Sequence, residues 1–266
     1  MSWDLRVYPD SQIARLPRPL RPLALVARNL VPSGSRAFRY AYRSVDLATS
    51  NRSPFLDDPA FEDAYRRVSD GWYDGDVDVR WRVWTLARLA RTRRGLPAHA
   101  PGAFAEFGVY RGGCAFIILS TAELPASQRY FLFDTFSGVP DDRLEASERR
   151  MGIAGEWADT SAEAVAQRLA PWSGQIEIRP GDLFETLPAT ETGPLSFVHI
   201  DLNASAPTIA ALEYAHPRMQ PGAIVVFDDY GSPRYDEQRQ RIDDFFADVP
   251  EDLVVLATGQ AFAIKR

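Results

Sequence analysis

Residues 195–201 read Leu195-Ser196-Phe197-Val198-His199-Ile200-Asp201, a mostly apolar run that ends in an acid. The same arrangement recurs along the chain, where other acids come at, or within a few residues of, the end of an apolar run: Asp134, Asp182, Asp228 and Asp229. If these runs are parallel strands, the carboxylates lie at the one edge of the sheet where open α/β folds bind ligands. The spacing therefore predicts a functional site at that edge.

Short apolar runs alternate with stretches that are mostly long enough for crossover helices. The runs cover residues 103–107, 130–133, 176–178, 195–200 and 223–227. Such alternation predicts βαβ units and a parallel sheet, whose strands are apolar because helices cover both faces. Two further runs, at residues 253–256 and 261–264, are joined by a link too short for a parallel connection. We expect these two to pair antiparallel.

The composition suits one α/β domain with an appended segment, or a small two-domain protein. The chain has 266 residues, 45% of them hydrophobic, and a net charge of −6 that argues against a general nucleic-acid binder. No apolar stretch approaches the ~20 residues that cross a bilayer, and the N-terminus lacks the apolar core of a signal peptide. Cys114 is the lone cysteine, so no internal disulfide is expected. We therefore expect a cytoplasmic protein with no nucleic-acid or membrane partner.

Residues 1–98 differ from the rest and are predicted to be a helical N-terminal extension. Prolines in residues 1–35 and 51–80 suggest short helices joined by turns. Residues 79–94 have clear helical periodicity, with Arg82 and Arg88 off an apolar stripe that consists of Val83, Leu86, Ala87 and Ala90. The stripe motivates a homo-oligomer built through these helices, and the extension could also cover the substrate. The basic residues either contact a partner, face solvent or pack on the same chain.

A glycine-containing turn, Gly108-Val109-Tyr110-Arg111-Gly112-Gly113, follows the first predicted strand. Glycine allows positive φ and close approach of a ligand to the backbone, and the start of a helix presents unpaired amides. The turn could hold a nucleotide-like ligand, although plain turn glycines give the same pattern. Its spacing is not G-x-G-x-x-G, which argues against a dinucleotide.

Asp134 lies about twenty residues beyond Gly113, at the end of the second predicted strand. In nucleotide-binding βαβ units an acid at this place accepts hydrogen bonds from a ribose diol. Thr135 and Ser137 add two hydroxyls in a tight turn, and Asp182 would give a polar contact for a base. The alternative for Asp134 is a cap on the next helix.

Four segments now form a set: residues 106–113 (EFGVYRGG), 133–140 (FDTFSGVP), 199–201 (HID) and 221–231 (PGAIVVFDDYG). Together they resemble the macrocin, mycinamicin and novobiocin type of O-methyltransferase, over roughly residues 100 to 266. The resemblance implies a class I methyltransferase (Rossmann-like) domain at residues 99–266, with a mostly parallel seven-stranded sheet and an antiparallel last strand. It also implies S-adenosyl-L-methionine as cofactor, commonly with Mg²⁺. The implied acceptor is a small-molecule hydroxyl, on a sugar or another natural product such as an antibiotic.

The resemblance also assigns site residues by position. It gives the methionine end of the cofactor to Glu106, Gly108, the backbone of Val109 and Tyr110, and the glycines of the same turn, Gly112 and Gly113. The ribose falls to Asp134 with Thr135 and Ser137, the adenine to Asp182 and Leu183, and the metal to Asp201, Asp228 and Asp229. Well-known members carry a second acid two residues after the first metal aspartate, where this chain has Asn203.

Methyl transfer to a hydroxyl requires the hydroxyl to lose its proton, and these acids could assist that step. A Mg²⁺ held by carboxylates would lower the pKa of the hydroxyl and fix its position, and it would offset the repulsion among the acids. Asp201 is the predicted proton acceptor, metal ligand or both. Strand alternation directs His199 to the same face, where it would orient Asp201, assist proton transfer or be structural. The alternative for Asp228 and Asp229 is N-capping of the helix that follows.

Residues 139–160 are predicted to be a lid with Trp157 as a stacking surface, or else a mobile surface loop. Two other classes of protein stay open. A non-catalytic scaffold or regulatory protein could keep the cofactor pocket without turnover. An NAD-dependent oxidoreductase would share the fold and Asp134, but the glycine spacing is wrong and the sole lysine, Lys265, is not in a Tyr-x-x-x-Lys motif.

Overall fold

The computed structural model describes residues 42–44, 47–49, 51–69, 78–93 and 102–266. The short helices and turns expected in residues 1–35 lie outside these ranges. Within them, seven strands form one mixed sheet, and a separate two-stranded hairpin joins β1 (Tyr42–Arg43) to β2 (Ala48–Thr49).

The main sheet has the strand order β5-β4-β3-β6-β7-β9-β8. Its members are β3 (Ala103–Phe107), β4 (Tyr130–Asp134), β5 (Ile176–Pro180), β6 (Leu195–Ile200), β7 (Met219–Phe227), β8 (Val254–Val255) and β9 (Ala261–Ile264). The five strands β3 to β7 run parallel, β9 is antiparallel to β7, and β8 is antiparallel to β9. This confirms the predicted parallel sheet with an antiparallel end. The reversal of strand order between β3 and β6 opens the crevice in which such folds bind ligands.

Eight α-helices occur in the described residues: α1 (Pro59–Ser69), α2 (Arg80–Arg91), α3 (Gly113–Thr121), α4 (Ala146–Met151), α5 (Ala162–Arg168), α6 (Leu183–Thr186), α7 (Ser205–Ala215) and α8 (Asp236–Ala247). Four short 3₁₀ helices accompany them: Pro54–Asp57, Asp141–Arg143, Ala170–Trp172 and His216–Arg218. None of the helices in this part of the chain is both long and apolar enough to span a membrane.

The sheet separates two apolar cores. One core contains residues of α1, α2 and α3 together with side chains from one face of the sheet, such as Phe104 and Phe197. The other contains residues of α7 and α8 with Phe107 and Val198 from the opposite face. Because β3 and β6 are buried along their whole length, the residues that follow them are held in fixed positions at the sheet edge.

Helix α2 packs inside the same chain. The predicted apolar stripe is confirmed as its buried face, made of Val83, Leu86, Ala87 and Ala90. These side chains share a core with α3, so the described part of the N-terminal region and the sheet fold as one packed unit. The stripe that motivated a homo-oligomer is therefore already covered by the chain itself.

Candidate active site

The carboxyl ends of β3 to β7 border a cavity of about 420 Å³. Its wall includes acids at, or within two residues after, the ends of β4, β5, β6 and β7: Asp134, Asp182, Asp201 and Asp229. Parallel strands bring these separated acids to one edge of the sheet, the juxtaposition that the spacing of the acids predicts. Asp228 is not in the wall and lies behind it, against His199 and Gln260.

Gly108, directly after β3, allows the main chain to pass very close to Asp201, directly after β6. Its φ is +87°, and a Cβ atom added there would lie 1.8 Å from the main-chain oxygen of Asp201. Side chains rarely adopt this φ, and no other residue has room at this point. The close approach places the glycine turn directly beside Asp201.

Asp134 holds that turn in place. Its Oδ2 accepts hydrogen bonds from the amides of Val109 and Tyr110, both at 2.7 Å, and its Oδ1 accepts one from the amide of Phe136 at 2.7 Å. The two turn amides expected to face the methionine end of the cofactor are therefore occupied by Asp134. A carboxylate has about four acceptor positions, so Asp134, which lines the cavity, keeps capacity for a hydroxyl.

The other predicted cofactor residues divide into two groups. Those that line the cavity are Glu106, Gly108, Val109, Tyr110, Thr135, Asp182 and Leu183. Gly112, Gly113 and Ser137 are not part of the wall. Gly112 adopts a left-handed conformation to begin α3, where a Cβ atom would meet Val165 at 3.2 Å. Gly112 and Ser137 lie in turns and Gly113 is the first residue of α3, and contact of these three residues with the cofactor stays a prediction.

Asp182 has partners on both oxygens. Oδ1 accepts the amide of Phe184 at 3.0 Å and so caps α6, and Oδ2 accepts Nε of Arg143 at 2.7 Å. The guanidinium of Arg143 also lies over the Phe184 ring, 4.5 Å from its centroid. Asp182 therefore helps to bind the segment that covers the cavity.

Arg82 of α2 is bound by both acids that follow β7. Its Nη2 donates to the main-chain oxygen of Asp228 at 2.7 Å, to Oδ1 of Asp229 at 2.6 Å, and to Oδ2 of Asp228. The remaining oxygens also have donors: Gln260 Nε2 to Asp228 Oδ1 at 2.7 Å, and Asn203 Nδ2 to Asp229 Oδ2 at 2.5 Å. Neither acid caps α8, whose N-cap residue is Tyr235.

This donor set does not fit the expected metal ligands Asp201, Asp228 and Asp229. All four side-chain oxygens of Asp228 and Asp229 are engaged by nitrogen donors, and Asp228 lies outside the cavity wall. Across the described stretches, no three His, Cys, Asp or Glu side chains are grouped so as to hold a metal ion. The guanidinium of Arg82 contacts both Asp228 and Asp229, and the buried ring of His199 lies 3.6 Å from Asp228.

His199 is completely buried beneath the cavity. Its Nδ1 lies 3.8 Å from Glu106 Oε2 and its Nε2 lies 3.6 Å from Asp228 Oδ1, distances at which the attraction is electrostatic. Burial lowers the pKa of His199, but Asp228 and Glu106 reverse this and raise it to about 10. His199 thus lies buried between two acids that favour its protonated form, and it does not line the cavity where a substrate would lie.

Asp201 is the acid that stays available. It lines the cavity, and none of the described residues donates a hydrogen bond to its side chain. Burial raises the pKa of Asp201 well above its ordinary value, and the neighbouring Asp228 and Asp229 raise it further. A carboxylate with a raised pKa is a stronger base, which suits it to accept a proton from a substrate.

Residues 139–160 form one wall of the cavity. Their ends are joined by hydrogen bonds between Val139 and the main chain of Glu156 and Gly155, at 3.1 and 2.9 Å. The ring of Trp157 packs edge-on against that of Tyr110, with centroids 5.1 Å apart, and both residues line the cavity. The hydroxyl of Thr160 donates to the main-chain oxygen of Tyr110 at 2.8 Å. The segment therefore closes onto the glycine turn in this conformation.

Sheet order and edge site together define the class I methyltransferase fold. The solved structure of the O-methyltransferase NovP superposes with a TM-score of 0.59 over 69% of this chain and 79% of that one, at 22% identity. The family model described as macrocin O-methyltransferase (TylF) matches residues 85–254. The chain therefore belongs to this family, and it is an S-adenosylmethionine-dependent O-methyltransferase.

Two characterised relatives support the assignment. The 8-demethyl-8-(2,3-dimethoxy-alpha-L-rhamnosyl)-tetracenomycin-C 4'-O-methyltransferase of Streptomyces olivaceus is 28% identical over 61% of this chain and 70% of that enzyme. The mycinamicin III 3''-O-methyltransferase of Micromonospora griseorubida is 29% identical over 50% of this chain and 57% of that enzyme. Family membership decides in favour of a methyltransferase and against the scaffold and oxidoreductase alternatives.

Proposed function

We propose that this enzyme methylates a hydroxyl group of a sugar or another natural product, with Asp201 as the proton acceptor. The observation that carries the proposal is the position of Asp201: it lines the cavity, has no hydrogen-bond donor among the described residues, and lies against the glycine turn. The named substrates of the two relatives, a rhamnosyl tetracenomycin and mycinamicin III, support an acceptor of this type.

In the proposed complex the cofactor lies along the carboxyl ends of β3 and β4. The ribose hydroxyls bind the free acceptor capacity of Asp134, and the adenine lies near Asp182 and Leu183. The methionine end extends toward Glu106 and Gly108. This arrangement is supported by the shared wall that these residues form. It points the methyl group toward Asp201, because Gly108 brings that residue next to the turn.

The proposed reaction is a direct displacement. The acceptor hydroxyl gives its proton to Asp201 as its oxygen forms a bond to the methyl carbon. The carbon–sulfur bond breaks, its electron pair stays on sulfur, and the products are a methyl ether and S-adenosylhomocysteine. Alignment of oxygen and methyl contributes on the order of 7–11 kcal/mol when the geometry is enforced. Residues 139–160, including Trp157, would supply this enforcement by closing the cavity and excluding water.

A Mg²⁺ ion is the remaining expectation from the family. The donor set does not support it, because the oxygens of Asp228 and Asp229 are bonded to Arg82, Gln260 and Asn203. The proposed mechanism therefore contains no metal step.

Residues 1–98 are proposed to cover the acceptor side of the site, with residues 99–266 as the catalytic domain. The reach of Arg82 from α2 into the acid cluster supports this division of roles. A homo-oligomer also stays a proposal. Its original motive, the apolar stripe of α2, is accounted for by packing within the chain. Light scattering of the purified protein at micromolar concentration tests the homo-oligomer, and a monomeric mass would contradict this proposal.

The function itself is tested by a methyl-transfer assay on paired acceptors. Each pair consists of a glycosylated natural product and the same compound with the candidate hydroxyl already methylated or replaced by hydrogen. We expect release of S-adenosylhomocysteine only with the free hydroxyl, and mass spectrometry should show addition of one methyl group. Transfer to the blocked compound, or only to nitrogen or sulfur nucleophiles, would contradict the proposal.

A further inference from the structure

We propose that Arg82 is the resident cation of this active site and takes the place of a divalent metal ion. This inference rests on the proposed function of the site. It adds a positioning residue, supplied by the N-terminal region, that holds Asp228 and Asp229 and leaves Asp201 as the acid available to the acceptor.

The contacts of Arg82 are those that a bound cation would make. One guanidinium nitrogen is shared by carboxylate oxygens of both acids and by the main-chain oxygen of Asp228. The side chain of Arg82 is 17% exposed, and those of Asp228 and Asp229 are 12% and 14% exposed. In such surroundings two adjacent carboxylates are stable only beside a positive charge. An arginine supplies that charge permanently, because it is not deprotonated in proteins.

The other arginines of α2 bind elsewhere. Arg80 forms ion pairs with Asp78 and Glu62, and Arg88 forms one with Asp58, all within the N-terminal region. Arg91 pairs with Glu123 just after the end of α3, away from the active-site acids. These pairs stabilise the packing of the helix itself. Arg82 crosses instead to acids that lie 146 and 147 residues further along the chain. Its target is the acid cluster of the active site.

The position of Arg82 in the sequence is also informative. The family model matches residues 85–254, so Arg82 lies just before the matched region. The acids lie inside it. The cation that neutralises them therefore comes from the part of the chain that the family model does not cover. Residues 85–91 of the same helix lie inside the matched region, so the helix that carries Arg82 spans its boundary.

Occupation by Arg82 has a physical consequence for metal binding. A divalent cation prefers bare carboxylate oxygens, and here it would have to displace charge-assisted hydrogen bonds and approach a fixed positive charge. We therefore expect the wild-type protein to bind Mn²⁺ poorly at this site. Removal of the guanidinium should expose Asp201, Asp228 and Asp229 to the metal.

The test is Mn²⁺ binding measured by electron paramagnetic resonance of the free ion, with the full-length protein and S-adenosylhomocysteine present. Wild type should show no saturable site. Arg82→Ala should gain one saturable site, and Arg82→Ala combined with Asp229→Asn should lose it again. Arg82→Lys keeps a cation and should still exclude the metal. Arg88→Ala is the matched control from the same helix and should behave as wild type.

Two results would overturn the inference. One is stoichiometric Mn²⁺ binding by wild type that Asp228→Asn or Asp229→Asn abolishes, which requires no substituted Arg82 and so holds even if Arg82→Ala fails to fold. The other is a folded Arg82→Ala protein, verified by circular dichroism, that gains no metal site. A failure of the proposed function would look different: the wild-type protein would transfer no methyl group to any hydroxyl, whatever its metal binding.

Discussion

The two halves of the active site are built in different ways. In the cofactor half, Asp134 binds the amides of Val109 and Tyr110, which belong to the turn after the neighbouring strand. In the acid half, Asp228 and Asp229 are bound by Arg82 from an N-terminal helix and by Gln260 and Asn203. The first half is formed within one βαβ unit. The second is assembled from distant parts of the chain, so it depends on the whole fold.

From this comparison we predict that residues of the acid half determine the rate of methyl transfer, and that residues of the cofactor half determine the affinity for the cofactor. The sharpest test of this prediction is Asp201→Asn. The amide keeps the shape of the side chain but cannot accept the proton, so turnover should fall by about 10²–10⁴. Initial rates of S-adenosylhomocysteine release measure this. Retention of more than about half of the wild-type rate would remove Asp201 from the role of base.

Gly108 lies where the two halves meet, against the main chain of Asp201. Its substitution should cause the next largest effect, a loss of folding stability. Gly108→Ala places a Cβ atom 1.8 Å from the main-chain oxygen of Asp201 and imposes a positive φ of +87° on alanine. Unfolding in urea should show a loss of about 3 kcal/mol or more. Gly152→Ala is the matched control, because Gly152 also has a positive φ, +73°, but nothing within 4 Å of the added atom. Equal losses in both variants would show that the close approach to Asp201 is unimportant.

Substitution in the cofactor half should weaken binding by a smaller amount. Asp134→Asn replaces one carboxylate oxygen with an N–H donor, so it faces the amides of Val109, Tyr110 or Phe136 with the wrong polarity. The proposed hydrogen bond from the ribose to the Asp134 carboxylate, worth about 1.5–3 kcal/mol, should be weakened, so S-adenosylhomocysteine affinity should fall about tenfold or more. Asp252→Asn, with a side chain that is 87% exposed, is the control and should bind as wild type.

The pH dependence of the rate tests the role of Asp201 in the acid half. Burial and then Asp228 and Asp229 raise the pKa of Asp201 well above its ordinary 3.8. A base must be deprotonated to act, so kcat/KM should fall about tenfold per pH unit below that raised pKa. The residual activity of Asp201→Asn should lack this decline. A wild-type profile that stays flat down to the ordinary pKa of an aspartate would contradict the assignment.

Outside the site, Glu251 gives the smallest predicted effect. Burial acts to raise its pKa, but Lys265, the amide of Arg266 and His216 lower it from 4.5 to about 2. A lowered pKa stabilises the fold above the unfolded value, so this contribution is lost as the pH falls from 4.5 toward 2. Glu251→Gln should cost about 1–2 kcal/mol at neutral pH. Thermal unfolding at several pH values should show a weaker acid dependence for the variant, and an unchanged dependence would refute the ion-pair explanation.

The sequence predicted the fold better than the site. Apolar runs located all seven strands of the main sheet. Burial on both faces explains the apolar sequence of β3, β4 and β6, whereas the two valines of β8 are exposed. The apolar runs missed the first part of β7, which begins at Met219 and includes the polar Gln220. The short link before β9 correctly indicated antiparallel pairing. These features depend on local sequence, which is why a single sequence reveals them.

The site was predicted as a set of positions, and its interactions were not. The ends of the strands indicated where Asp134, Asp201 and Asp229 would lie, but no local signal shows that Asp134 binds turn amides. The sequence places Arg82 off the apolar stripe of its helix and gives no sign of its partners. Its partners lie 146 and 147 residues away, and that pairing follows from the packing of α2 against the sheet. Clustered acids need a cation, and the sequence alone does not distinguish a metal ion from a guanidinium in that role.

The most direct test of the division between the halves is calorimetric titration of S-adenosylhomocysteine into Asp134→Asn and Asp201→Asn side by side. The account predicts that Asp201→Asn binds within about twofold of wild type, because its side chain serves the acceptor, while Asp134→Asn binds about tenfold or more weakly. An equal loss of affinity in both variants, or a larger loss in Asp201→Asn, would contradict it.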